Sequence, residues 1–144
     1  MRRLLVPCVL VALTACALPA FSFDDYRGKA VEAAEEAISQ GETATLTAEL
    51  AHRDRLFPTS VAVQLEDAEE AAVAVVDDLA SVLPPDEPSE ELRRSILPLI
   101  QDTSDLIARM RFAARHGDVA RLRDLTGSLE DPLRRLEAFV EQTA

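Results

Sequence analysis

Apolar residues recur every three or four positions along four stretches of this chain, which is the spacing of one face of an α-helix. The stretches cover about residues 24–56, 59–83, 89–116 and 119–144. The first ends at Phe57-Pro58, because the residue before a proline is disfavoured in helical geometry. Later turns are marked by Pro84-Pro85-Asp86-Glu87-Pro88 and by His116-Gly117-Asp118. We therefore predict four helices joined by short turns.

The second stretch has the most regular pattern. Its apolar positions alternate in steps of four and three, as in a helix–helix seam: Val61, Leu65, Ala68, Ala72, Val75, Leu79 and Val82. A seam this regular can also join two copies of a chain, so the sequence allows a homodimer.

The first stretch has a weaker stripe of small residues. We expect Asp24 and Asp25 to cap its start, and Gly41 is a candidate break or kink. Small residues favour close helix packing over a cavity. The predicted inward positions are Val31, Ala34, Ile38, Gly41, Thr45, Ala48 and His52.

Prolines and glycines predict irregularities in the third and fourth stretches. Ser89 is expected to cap the third helix and Pro98 to kink it. Gly127 and Asp131-Pro132 are expected to kink the fourth helix without ending it, because its stripe keeps its phase. The inward positions are Leu92, Ile96, Leu99, Thr103, Ile107, Met110 and Ala114 in the third helix, and Val119, Leu122, Leu125, Leu129, Leu133, Leu136 and Val140 in the fourth.

Four helices that each carry one apolar stripe bury those stripes against each other. The predicted fold is therefore all-α, an antiparallel up-down four-helix bundle over residues 24–144. Residues 1–15 and 16–23 are expected to be a signal peptide and a tether that precede the bundle.

The N-terminus has the pattern of an export signal. Arg2 and Arg3 precede an uncharged apolar run over residues 4–13, which is too short to span a bilayer. The run ends in Leu13-Thr14-Ala15-Cys16, which resembles the lipobox of bacterial lipoproteins. The resemblance implies cleavage before Cys16, lipidation of its thiol by groups such as palmitate, and a position on the outer face of the cell membrane.

A second cleavage site stays open. Ala20-Phe21-Ser22 has small residues where an ordinary signal peptidase needs them, and cleavage after Ser22 would give a secreted protein. The cysteine count favours lipidation, because Cys8 leaves with the signal and Cys16 then has no disulfide partner.

Charge excludes one class of partner. The chain has 26 acidic and 15 basic residues, with a formal net charge of −11. Such a protein will not bind nucleic acid through phosphates, and anionic lipid heads will repel it. The acidic residues are concentrated in residues 24–91, which contain 18 acidic and 4 basic residues. We expect the basic cluster of the second half to lie beside them and offset their charge: Arg109, Arg111, Arg115, Arg121 and Arg123.

Reactive constellations are scarce, and we predict no catalytic residue, no metal and no cofactor. Glu49-Leu50-Ala51-His52 is a Glu-x-x-His motif, but a di-iron bundle needs two of them. His52 and Met110 are candidate axial ligands for a haem iron, because both are predicted on inner stripes near one end of the bundle. The acidic face of the second helix is a weaker candidate for divalent cations.

The mature domain resembles small helical lipoproteins of high-GC Gram-positive bacteria. That resemblance and the lack of a catalytic motif imply a non-enzymatic, membrane-anchored module that binds or spaces a protein partner. The alternative is a haem or metal carrier that uses His52, Met110, Glu49 or the acidic face.

Overall fold

A computed structural model describes residues 20–143, which form four α-helices and no strand. Helix α1 spans Phe23–His52, α2 spans Pro58–Ser81, α3 spans Glu87–Arg115 and α4 spans Val119–Thr143. The helices pack against each other with short connecting loops, and consecutive helices run antiparallel. The predicted all-α antiparallel four-helix bundle is confirmed.

Two kinds of contact fix the antiparallel register. Between α2 and α3, Arg111 pairs with Glu69 and Arg115 pairs with Glu66, so the partner number falls as the residue number rises. Between α1 and α4, Gly41 lies against Leu133 and His52 contacts Arg123, so the partner number falls in the same way. The bundle therefore has a tip, formed by loops 53–57 and 116–118, and a base, where α1 begins and loop 82–86 lies.

Helices α1 and α3 each contact all of the other three helices. No Cα atoms of α2 and α4 approach within 8 Å, so α1 and α3 form the close diagonal. Small residues allow this approach, since helix separation depends on the side chains at the contact. The buried positions of α1 are Tyr26, Ala30, Ala34, Ala37, Gly41, Ala44, Thr47 and Ala48.

This stripe corrects part of the sequence prediction. Ala34, Gly41 and Ala48 are buried as expected, but the other buried positions are mainly smaller residues one step away from those predicted. The larger predicted residues Val31 and Ile38 are half-buried at the flanks. The prediction preferred larger side chains, whereas the buried centre of this stripe consists mainly of alanine and glycine.

The stripes of the other helices follow the predictions closely. All seven predicted seam residues between Val61 and Val82 are buried. Along α3, Leu92 and Ala114 are half-buried and the five predicted positions between them are buried. Along α4, Val119 is exposed at the first turn, while the five leucines are buried.

The helix ends show two corrections. Ser22, not Asp24 or Asp25, caps α1, because its side chain accepts a hydrogen bond from the Asp25 backbone N–H at 3.2 Å. Asp86, not Ser89, caps α3 by accepting from the Ser89 backbone N–H at 2.9 Å. The sequence prediction placed both caps inside the helices.

The turn between α3 and α4 follows the prediction. Gly117 has a φ of 68°, and the backbone N–H groups of Gly117 and Asp118 donate to the carbonyls of Ala114 and Ala113. These two bonds form a Schellman motif, which satisfies the last carbonyls of α3. Asp118 then caps α4 by accepting from the Arg121 backbone N–H.

The residues that were predicted to kink or break the helices do not end them, as was expected for the fourth helix. Helix α1 continues through Gly41, and α4 continues through Gly127 and Pro132. Helix α3 continues through Pro98, which lies on its exposed side, where water can satisfy the carbonyl left without a partner. Gly41 instead serves close packing, because a Cβ there would lie 2.5 Å from Leu133 Cδ2.

Candidate functional site

The arginine cluster predicted from the sequence lies at and below the tip. Arg111 makes a bidentate pair with Glu69, and their side chains are 26% and 19% exposed. Hydrogen bonding to Glu69 raises the pKa of the Arg111 guanidinium above its ordinary value. Arg115 pairs with Glu66 at 2.8 Å on a more exposed part of the same interface. For these two arginines, the expectation that they offset the acids of the first half is correct.

Arg123 contacts a histidine, whereas Arg111 and Arg115 pair with glutamates. Its Nη2 lies within hydrogen-bonding distance of both ring nitrogens of His52, which ends α1. The guanidinium donates and the imidazole accepts, so a lone pair of His52 is already engaged. The Arg123–His52 contact connects α4 with α1 at the tip.

The candidate haem ligands lie in different environments. Met110 is fully buried in the core of the tip half, packed with Ile107 and Leu129. His52 was predicted on the inner stripe, but it is exposed. Its engagement with Arg123 would compete with an iron, and Met110 has the position of an ordinary core residue.

The structure also shows where the candidate metal ligands lie. Glu49 is exposed and pairs with Arg53 at 3.4 Å, one turn further along α1. Over residues 20–143, no three histidine, cysteine, aspartate or glutamate side chains form a group that could hold a metal ion. On the acidic face of α2, Glu66 and Glu69 take arginine partners from α3.

The seam of α2 is covered by its own bundle. Because Val61 and Leu65 at one end and Leu79 and Val82 at the other are buried, this seam is not exposed to a second copy. The α2 seam, which was predicted as a possible dimer contact, is therefore buried inside the bundle.

The signal and the lipidation site are outside the part of the chain that the structure describes. Residues 1–15 and Cys16 precede residue 20, so their prediction stays a prediction. Among the helices of residues 20–143, none has an apolar stretch long enough to cross a bilayer.

A groove that the sequence did not predict lies between α1 and α4. It is an open depression of about 510 Å³. It continues towards the tip into a second depression beside Ala48, His52 and Arg123. We call the two together the α1/α4 groove. Its extent is about 15 Å along α1 and about 27 Å along α4, at 1.5 Å per residue.

Four glutamates line this groove in two pairs. Glu42 and Glu137 line the part nearer the base, whereas Glu49 and Glu130 border both depressions. The two members on each helix are seven residues apart, or about 10.5 Å, so they share one helix face. In the described part of the chain, Glu49 is the one member of this set that forms an ion pair.

The floor between the glutamate pairs is apolar. Leu46 is 58% exposed, and Leu133 lies against Gly41 beneath it. Arg134 also lines the groove, but its guanidinium pairs with Asp131 on its own helix. The groove therefore combines an exposed leucine with an excess of negative charge.

The sequence held a weak signal for this groove. Leu46 is apolar but lies off the buried stripe, and glutamates flank it four residues before and three residues after, at positions 42 and 49. Glu130 and Glu137 repeat the spacing on α4. Only the packing of α1 against α4 brings the two sets to one surface.

A second unusual feature lies at the base. The Tyr26 hydroxyl is buried and has no hydrogen-bond partner among the described residues, and neither has Arg93 Nε. Burial raises the pKa of Tyr26, and the negative charge of Glu90 acts in the same direction, while Arg93 opposes them. These atoms lie away from the α1/α4 groove, which occupies the tip half.

Comparison with known proteins adds no relative to this description. No protein-family model matches the chain, and no curated protein or solved structure matches it either.

Proposed function

We propose that this protein is exported, is anchored to the outer face of the cell membrane by a lipid on Cys16, and acts there as a non-enzymatic binding or scaffold module. One observation carries the proposal: the α1/α4 groove lies far from the end at which the chain would be anchored. The α1 part of the groove begins at Glu42 and ends at His52. At 1.5 Å per residue, these positions are about 28 and 44 Å along α1 from Phe23.

The distance between the anchor and the bundle supports this arrangement. Cys16 precedes Ala20 by four residues, which span at most about 14 Å when fully extended. A lipid on Cys16 would hold the base of the bundle near the membrane. A partner of the groove would then meet this protein above the lipid head groups.

The start of α1 favours cleavage before Cys16 over cleavage after Ser22. Cleavage after Ser22 would remove the cap of α1, a loss of about 1 kcal/mol in comparable helices. It would also remove Ala20, which is buried against the core of the base, and place an ammonium group at the positive end of the helix dipole. Cleavage before Cys16 keeps all of these features in the mature chain.

The anchor is tested on protein from its own host. The mature chain should begin at Cys16, carry the mass of its acyl groups, and take up a palmitate label that Cys16→Ser abolishes. A mature chain that begins at Phe23 and appears in the medium would overturn the anchor. A chain that keeps residues 1–15 in the cytosol would overturn export as well.

The binding role is tested by site-specific crosslinking on intact cells. A photo-crosslinking residue in place of Leu46 should form one discrete adduct that mass spectrometry identifies as a protein. The matched control is the same residue in place of Val73, which is exposed on α2. Equal adducts from both positions, or adducts from neither, would count against a binding module that acts through this groove.

A further inference from the structure

We infer that the α1/α4 groove accepts a basic amphipathic helix of a partner protein. This inference rests on the proposed binding function and specifies the chemistry of the partner. It follows from the charge, the spacing and the apolar floor of the groove.

Charge selects a cationic occupant. Glu42, Glu130 and Glu137 form no ion pair with the described residues, and Glu49 has one exposed partner, Arg53. Two arginines line the groove: Arg134 pairs with Asp131, and Arg123 at the tip end donates to His52. The four glutamates still outnumber them. An anionic or neutral segment would leave these carboxylates facing a second negative or apolar surface, whereas lysine or arginine would pair with them.

Spacing selects a helix. On each wall the glutamates are seven residues apart, or about 10.5 Å, which is two turns of an α-helix. A partner helix with basic residues at positions i and i+7 matches both glutamate pairs at once. The length of the groove, about 15 to 27 Å, accommodates a segment of about 10 to 18 helical residues.

The apolar floor of the groove favours a partner helix that is amphipathic. Leu46 lies between the two glutamate pairs and is 58% exposed. On the partner helix, positions i+3 and i+4 lie between the two basic positions on the same face. Leucine or isoleucine there would cover Leu46 and the edge of Leu133 and remove their apolar surface from water.

Other ligands fit the groove less well. A divalent cation would need several ligands together, but the described residues contain no group of three potential ligands. Anionic lipid would face four glutamates. The basic residues around Arg111 and Arg115 in this chain are engaged by α2 of the same bundle, which disfavours a second copy as the occupant.

The test uses the full mature chain, purified in detergent, and a labelled synthetic helix followed by fluorescence anisotropy. The helix has lysine at i and i+7 and leucine at i+3 and i+4. A control peptide has the same composition in an order that destroys the amphipathic face. We expect saturable binding of the first peptide at 1:1 stoichiometry and at least about tenfold weaker binding of the control.

Variants locate the binding site. Replacing Glu42, Glu49, Glu130 and Glu137 with glutamine should weaken binding at least about tenfold, and Leu46→Ser should weaken it with the charge unchanged. The charge-matched control removes four carboxylates outside the groove with Asp67→Asn, Glu70→Gln, Asp77→Asn and Asp78→Asn, and should change affinity less than about twofold. Circular dichroism checks that all variants keep their helix content.

Three results would overturn the inference. An equal loss of affinity in both four-carboxylate variants would show that the peptide is attracted by net charge alone. Equal binding of the amphipathic and the scrambled peptide would show that no helix face is recognised. Light scattering that reveals a dimer disrupted by the groove variants would make a second copy the occupant. If the peptide fails to bind while crosslinking from Leu46 still captures one protein, the binding function stands and the basic-helix assignment falls.

Discussion

Gly41 of α1 lies directly against the side chain of Leu133 on α4. A Cβ at position 41 would be 2.5 Å from Leu133 Cδ2 and 3.0 Å from Cδ1. The three nearest atoms all belong to the Leu133 side chain, so this side chain would have to move to admit a Cβ. The missing side chain of Gly41 therefore sets how closely α1 and α4 approach beneath the α1/α4 groove.

Gly41→Ala should destabilise the protein although alanine is the better helix former. Helix propensity contributes up to about 1 kcal/mol in favour of alanine, and overpacking costs about 1 to 3 kcal/mol. We expect a net loss of about 1 kcal/mol in the free energy of unfolding, measured by urea denaturation. The matched control is Gly28→Ala on the same helix, where nothing lies within 4 Å of the added Cβ.

Gly28→Ala should stabilise the protein by about 0.5 to 1 kcal/mol. The double variant Gly41→Ala/Leu133→Ala should lose less than the two single variants together, because the second change removes the clash. Stabilisation by Gly41→Ala alone would contradict the close packing of Gly41 against Leu133.

Gly117 is required at the turn for a different reason. Its φ of 68° is in the left-handed region, which costs a residue with a Cβ about 1 to 2 kcal/mol. Gly117→Ala should therefore lower the unfolding free energy by about 1 kcal/mol, and Gly117→Asn should lower it less, since asparagine tolerates this conformation. Equal stability of all three chains in thermal or urea denaturation would contradict the Schellman motif.

Ionisation of Tyr26 makes the stability of the folded protein depend on pH in the alkaline range. Burial raises its pKa above the ordinary value of 10.0. Because the pKa of Tyr26 is higher in the folded state, the unfolded chain releases this proton first as pH rises. The contribution of the protonated hydroxyl to the free energy of unfolding is therefore complete below about pH 10. It is lost as pH rises through the folded-state pKa. Tyr26→Phe should remove this part of the alkaline loss of stability, measured by urea denaturation across that range.

The same residue offers a direct spectroscopic readout. Tyr26 is the only tyrosine and the chain has no tryptophan, so the ultraviolet tyrosinate band titrates one known group. At neutral pH Tyr26→Phe should be neutral or stabilising by about 1 kcal/mol, since it removes a buried hydroxyl without a described partner. A loss of more than about 1 kcal/mol would show that the hydroxyl is satisfied, for example by buried water.

The two ion pairs between α2 and α3 should differ in strength. Arg111 and Glu69 are largely shielded from water and bidentate, whereas Arg115 and Glu66 are 46% and 42% exposed. A double-mutant cycle with Arg111→Met and Glu69→Gln should give a coupling of about 1 to 2 kcal/mol. The cycle with Arg115→Met and Glu66→Gln should give less than about 1 kcal/mol and should weaken more with added salt.

The comparison is informative because both pairs join the same two helices. Equal couplings would mean that exposure does not control these interactions. A larger coupling for Arg115 and Glu66 would reverse the assignment of the stronger pair.

The sequence alone determined the four helices and most of the core. The stripes of α2, α3 and α4 were predictable because leucine, isoleucine and valine recur with helical spacing and have few other places to be buried. The turn at Gly117-Asp118 was predictable as well, since glycine and aspartate have specific backbone roles there. The N-terminal signal and Cys16 stay predictions, because the described residues begin at Ala20.

Only the tertiary structure decided how α1 packs and where a partner could bind. The stripe of α1 was partly misplaced, because alanine and glycine give almost no hydrophobic signal although three neighbouring helices cover them. His52 was predicted inside but lies exposed at the tip. The α1/α4 groove depends on Glu42 and Glu137, which are 95 positions apart in the sequence. Helical periodicity reports which face of one helix is apolar, but the pairing of faces from different helices is fixed only when they pack.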